Sequence, residues 1–259
     1  MPDTTSTTKL ILVTRKGWPE WPLPESAQPV LWVRPESDPV AALDQAPDAR
    51  TILAAPLDQT TAWVRELLRR KRHFALASLH DVDGHDLARL AAAARRRRLT
   101  PVILGAWRCL PPVLALRELT AGGVLGQLTR LDLSTPPRNP PAQTTAAADL
   151  AAFLNPANHP LAFTLATNAQ PEQLTITITI TGSAGSATAT GTLAGDMASL
   201  STAFGNHSRT LPLPPGQPAQ TELRLFLAAS PNDQCLMTLN AAADLFPTTT
   251  TPPTTANHA

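Results

Sequence analysis

DARTILAAPLDQTTAWVRELLRRKRHFALASLHDVDGHDLARLAAAARRRRLTPVILGAWRCLPPVLALRELTAGGVLGQLTRLDL (48–133) decides the fold. Short apolar runs at Thr51–Ala55, Phe74–Ala77 and Val102–Leu104 alternate with segments of helical period. Strands alternating with amphipathic helices build βαβ units and a parallel sheet. The helix predicted over Thr60–Arg72 buries Trp63, Val64, Leu67 and Leu68 and turns its arginines to solvent. A second helix runs from Gly84 to Arg98. A third, Pro111–Ala121, opens on proline and closes at Gly122-Gly123. Gln127–Ser134 alternates as a strand.

Upstream, Thr8–Thr14 (TKLILVT) and Val30–Arg34 (VLWVR) read as strands, and Pro39–Gln45 as a short helix. A dinucleotide fold places a glycine-rich turn and a helix after its first strand, so that the pyrophosphate sits on the helix amides. Here Arg15–Pro29 carries Pro19, Pro22, Pro24 and Pro29, which forbid a regular helix, and only Gly17 remains of a glycine motif. Thr14, Arg15 and Pro56 lie at strand ends where a cofactor would sit. Arg34 ends the second strand, where an arginine accommodates a ribose 2′-phosphate. The Trp18/Trp21 loop is expected to plug the crevice above Thr14, Pro56 and Ser78.

Downstream the texture changes. Thr135–Gln143 is a proline-rich break, followed by a short helix at Ala146–Leu154. Leu161–Thr167, Leu174–Thr181, Ser186–Leu193 and Met197–Phe204 alternate as strands. In LTITITIT (174–181) one face is apolar and the other threonine. A half-buried antiparallel sheet with one broad open face is expected. Helices at Gln220–Ala229 and Cys235–Phe246 precede a low-complexity tail. The fold class is therefore α/β: a truncated Rossmann-like parallel-sheet domain (1–110), an α+β domain with an open, mostly antiparallel sheet (111–246), and a disordered tail (247–259).

Composition narrows the function. With 259 residues, a net charge of +1 and 16% charged residues, the chain lacks the basic excess of a nucleic-acid binder. Neither a signal peptide nor an apolar run near the roughly 20 residues of a spanning helix is visible, so a cytoplasmic protein without membrane contact is expected. Cys109 and Cys235 lie far apart with no CxxC spacing and read as reduced thiols. No metal site is expected. The most polar cluster is SLHDVDGHD (78–86), which offers Ser78, His80 and His85 as candidate proton-transfer groups; in the plainer reading Asp83 caps the following helix. Trp107 and Arg108 are candidates for a substrate cleft, or else a core tryptophan beside a structural arginine.

The order of these pieces resembles the Gfo/Idh/MocA family of glucose–fructose oxidoreductases and inositol dehydrogenases. The family's Thr-Pro turn, "GKHVxxEKP", "RFxP" and "GxxG" are matched by Ala55-Pro56, Arg72-His73-Phe74, Arg108-Cys109-Leu110-Pro111 and Gly123-Val124-Leu125-Gly126. ITGSAGSATATGTLAG (180–195) is similar to its late hairpin and TELRLFLAA (221–229) to its late helix. The resemblance implies NAD(P), hydride transfer at a sugar or cyclitol carbon, and an open sheet that makes a dimer or tetramer interface. It also assigns substrate binding and proton transfer to the "EKP" lysine and a histidine. The EKP positions fall on Ala77-Ser78-Leu79, the segment that carries the histidine is missing and leaves TTAAADLAAF (144–153), and Thr60 replaces a further histidine four residues after the Thr-Pro turn. Two expectations follow. The first is a catalytically degenerate member with no cofactor, a homo-oligomer or a partner of an active homologue through the sheet of residues 161–204. The second is an NAD- or NADP-dependent oxidoreductase with a non-standard site.

Overall fold

The computed structural model describes residues 8–15, 27–77, 84–105, 107–136, 140–157, 160–167, 174–228 and 235–245. Two six-stranded sheets organise them. The first contains β1 (Thr8–Val13), β2 (Ala27–Val33), β3 (Arg50–Leu53), β4 (Phe74–Leu76), β5 (Val102–Ile103) and β12 (Met237–Thr238), in the order β12-β5-β4-β3-β1-β2. All neighbours are parallel except β12, which runs against β5. Helices α1 (Pro39–Gln45), α2 (Thr61–Arg69) and α3 (Gly84–Arg96) connect β2 through β5.

The inner strands β1, β3, β4 and β5 are largely buried on both faces, which is why they read as continuous apolar runs. Ile11, Val13, Leu53, Phe74, Leu76 and Ile103 pack against α1, α2, α3 and α7 (Leu239–Leu245). Leu10, Leu12, Ile52, Ala75, Val102 and Leu104 face the other way, towards Leu223, Phe226 and Leu227 of α6 (Pro218–Leu227). The late part of the chain thus returns to finish the first sheet.

The second sheet holds β6 (Leu128–Thr135), β7 (Ala162–Thr167), β8 (Thr175–Gly182), β9 (Ser186–Thr192), β10 (Ala198–Phe204) and β11 (His207–Pro212), ordered β11-β10-β9-β8-β6-β7. Its pairs are antiparallel apart from β6 with β7. One face carries Ile176, Ile178, Ile180, Ala187 and Ala189 into a core with α4 (Pro111–Ala121) and α5 (Pro140–Leu154). The other face carries hydroxyls. One registered row crosses all six strands: Thr164, Asp132, Thr179, Thr188, Ser201 and Thr210. Thr179 and Thr188 share a hydrogen bond of 2.9 Å, Ser201 and Thr210 one of 2.8 Å, and Thr177 and Thr190 one of 3.3 Å.

Several sequence expectations are corrected. Strand β2 begins at Ala27 and includes Pro29; it is an edge strand, where a missing amide is tolerated, and the register shifts opposite Leu10/Ile11. Helix α5 begins at Pro140, six residues before the expected start, because prolines fit a first helical turn. Strand β7 is exposed on both faces, with only Leu165 half-buried. His207 opens β11 opposite Phe204. Met237–Thr238 is a strand where a helix was expected, since two residues carry no period to read.

The arginines of α2 are not all turned to solvent. Glu66, 8% exposed, accepts from Arg69 Nε at 2.7 Å and Arg70 Nε at 2.5 Å, and Arg70 also reaches Asp44 at 2.5 Å. Arg69 first and Arg70 second hold the Glu66 carboxyl well below the usual range, to about 2. Arg72 donates to the carbonyls of Ala46 and Ala49. Among the described residues no helix is long and apolar enough to cross a membrane.

Candidate functional site

Open α/β sheets bind ligands beyond the carboxyl ends of their strands, at the point where successive connections leave in opposite directions. In the order β2-β1-β3-β4-β5 that point lies between β1 and β3. Thr14 follows β1 and donates its amide to the Val33 carbonyl at 3.0 Å. Ala54 follows β3 and donates to the Val13 carbonyl at 2.8 Å, and Ala77 follows β4 and donates to Leu53 at 2.9 Å. The edge is thus built from main chain, Thr14 and small side chains.

Around it the sequence candidates fall as follows. Arg15 donates through Nε (3.1 Å) and Nη2 (2.8 Å) to Glu36 Oε1. Glu36 lies three residues past β2, where a ribose-reading acid would sit, and the sequence reading passed over it in favour of Arg34. Its carboxyl is held below the ordinary range, chiefly by a backbone hydrogen bond and next by Arg15. Both side chains are more than half exposed, at 56% and 57%, so solvent screens the pair and it is weak. Arg34 is exposed directly after β2.

Pro56 is half-buried and starts the turn into α2: its carbonyl accepts from the amides of Gln59 (3.1 Å) and Thr60 (3.2 Å). Thr60, at the position that resembles the family's histidine, is fully buried. Its hydroxyl donates back to the carbonyls of Pro56 (3.2 Å) and Leu57 (3.3 Å). Ser78, His80, Asp81 and Asp83 lie outside the described residues, as do Trp18, Trp21 and the tail. His85 is exposed in the first turn of α3. Among the described residues no cluster of His, Cys, Asp or Glu is arranged to hold a metal.

Trp107 and Arg108 stand in the 3-10 turn Trp107–Cys109 that leads from β5 to α4. Trp107 is 3% exposed, within the core of the second sheet. Among the described residues three groups hold Arg108. Its Nε donates to Asp149 Oδ2 at 2.8 Å and Nη2 to Oδ1; Nη1 donates to the Leu236 carbonyl at 3.2 Å; and the guanidinium lies 5.2 Å from the centre of the Phe153 ring. Asp149 is 1% exposed. Trp107 thus packs into the second core, and Arg108 is tied to Asp149 and to the Leu236 carbonyl.

One acid at the sheet edge escaped the sequence reading. Glu222 of α6 is 2% exposed, and its Oε2 accepts the amide of Gly105, just beyond β5, at 2.5 Å. Gly105 has φ +79, and this left-handed turn aims its amide at the carboxylate. The two residues are 117 apart, and no local pattern links them.

No family model matches the sequence, and no curated protein matches it. Solved structures do resemble the fold. A protein described as an NADPH-dependent oxidoreductase from Desulfitobacterium hafniense aligns over 92% of each chain with a TM-score of 0.72 and 11% identity. The 3-ketoreductase KijD10 of Actinomadura kijaniata, solved with NADP, aligns over 92% of this chain and 96% of its own, with a TM-score of 0.67 and 15% identity. An oxidoreductase from Pseudomonas syringae covers 93% and 94%, with a TM-score of 0.65 and 12% identity. The chain therefore has the Rossmann-like, two-sheet fold of these oxidoreductases over nearly its whole length.

Proposed function

We propose that this chain is a Gfo/Idh/MocA-type protein that keeps the oxidoreductase scaffold without its chemistry. In this reading it works in the cytoplasm as a binding or partner subunit, assembling through the open face of its second sheet and needing no cofactor. Thr60 is the observation that carries the reading: at a family histidine position stands a buried hydroxyl bonded to two main-chain carbonyls. Transfer of a hydride to or from an alcohol carbon requires a group that takes or gives the hydroxyl proton, placed within hydrogen-bond reach. A threonine used in this way does not serve. Ala77 at the end of β4 and the Arg108–Asp149 pair support the same reading, since both belong to packing.

The neighbours solved with NADP favour a second reading, an NAD(P)-dependent oxidoreductase acting on a sugar or cyclitol. Arg15 and Arg34 would then meet phosphate once Arg15 leaves Glu36. A thermal-shift titration with NAD(H) and NADP(H) separates the two. A ligand at 100 times its dissociation constant stabilises the fold by about 2.7 kcal/mol. The partner reading expects no shift at millimolar cofactor, and a clear shift with either cofactor overturns its cofactor-free form.

A further inference from the structure

The turn Trp107–Cys109 and the segment entering β12 lie side by side at the junction of the two sheets. Two independent contacts fix this. Arg108 Nη1 donates to the Leu236 carbonyl at 3.2 Å, and Cys109 Sγ lies 3.8 Å from the carbonyl oxygen of Cys235. Standard bond lengths then put the Cys235 Cα no more than about 6.5 Å from the Cys109 sulfur. Disulfides join residues whose Cα atoms are about 4.4–6.8 Å apart, while this contact allows a Cα separation of up to about 9 Å, so closure takes side-chain rotation with a shift of up to about 2 Å in the segment entering β12. Both residues are thiols, and they differ in access: Cys109 is buried at 4% exposure, and Cys235 is half-buried.

We propose that Cys109 and Cys235 are a modification site: a thiol pair that a peroxide converts, reversibly, into a disulfide clasp across the junction. The more accessible Cys235 reacts first. Its sulfur attacks one peroxide oxygen, the O–O bond breaks, the thiol proton leaves with the other oxygen as water (or as an alcohol from an alkyl peroxide), and a sulfenic acid forms. Cys109 then attacks the Cys235 sulfur; the S–S bond forms, the S–O bond breaks and a second water departs with the Cys109 proton. The sulfurs are oxidised by two electrons in all and the peroxide is reduced by two. A dithiol reductant reverses the change by exchange. The clasp ties the turn that enters the second core to the last strand of the first sheet. Switching of this kind suits a reducing compartment, where disulfides are transient and sensing rather than permanent.

Intact-protein and peptide mass spectrometry on the full chain, treated with hydrogen peroxide and then with dithiothreitol, tests the proposal. The expected result is a loss of about 2 Da, for two hydrogens. A peptide linking Cys109 to Cys235 and full reversal by dithiothreitol should accompany it. Oxidised protein should also melt several degrees higher than reduced protein, a difference that Cys235→Ser abolishes. In Cys235→Ser, Cys109 should resist peroxide, because it is buried. Addition of oxygen at Cys235 without a cross-link, or a cross-link between two chains in place of one within a chain, overturns the proposal. So does equally fast oxidation of Cys109 in Cys235→Ser.

Discussion

Arg108 spends one guanidinium on a carboxylate and an aromatic ring of α5 and on a main-chain carbonyl just before β12. Its side chain is 14% exposed and that of Asp149 1%. Removing one partner of such a pair leaves a buried charge uncompensated. Arg108→Ala is therefore expected to cost about 3–5 kcal/mol in urea unfolding. Arg108→Lys should recover little of that, since an ammonium cannot span both carboxylate oxygens in the plane of a fork. Glu66 makes the corresponding statement about pH. Its carboxyl is lowered to about 2 by Arg69 and Arg70, below the roughly 4.3 of an unfolded chain. The folded state thus favours the ionised form. That stability is complete above about pH 4.3 and drains away as the pH falls towards 2. Melting temperatures followed from pH 5 to pH 2 should fall less steeply in Glu66→Gln than in the parent; parallel curves would show that the cluster has no such role.

The loop after α4 shows how one element fixes another. Gly123 (φ +68) turns the chain out of α4, and Gly126 (φ +70) lies against Ser183 in the β8–β9 turn. Ser183 donates its amide to the Gln127 carbonyl at 2.9 Å, and Ala184 donates to Leu125 at 3.0 Å. A Cβ at Gly182 would overlap the Leu125 carbonyl, which is main chain and cannot swing aside. Gly182→Ala should therefore cost about 1–3 kcal/mol by chemical unfolding. Gly123→Ala meets no atom within 4 Å and should show only the left-handed backbone cost, about 1–2 kcal/mol. The sequence resemblance had marked Gly123 and Gly126 without giving this reason. Other elements were legible from local chemistry alone: Pro39–Gln45 and Pro111–Ala121 are found with their expected ends, each opened by a proline. What stayed hidden had no local trace. Asp149 meets Arg108 across 41 residues and Glu222 meets Gly105 across 117, and neither spacing has a period. Thr60 could be read as a replaced position, but its use as a tie within a turn needed coordinates.

At the scale of the molecule, the proposed assembly predicts that Thr188→Arg, in the middle of the hydroxyl row, lowers the mass measured by light scattering after size exclusion. The same variant should lower stability by no more than the hydrogen bond to Thr179, about 0.5–1.5 kcal/mol, because Thr188 is not part of the core. A parent that is strictly monomeric at micromolar concentration would remove the basis for that test. The return of α6 to the first sheet has a different consequence, one of timing. While the chain is being made, Leu10, Leu12, Ile52 and Ala75 emerge early, yet Leu223, Phe226 and Leu227, which cover them, come off the ribosome only after the whole second sheet. Contacts so distant along the chain close slowly, and until then the nascent protein displays a greasy half-finished surface. A chain cut before Pro218 should stay in that condition, binding a hydrophobic dye and needing a chaperone to remain in solution.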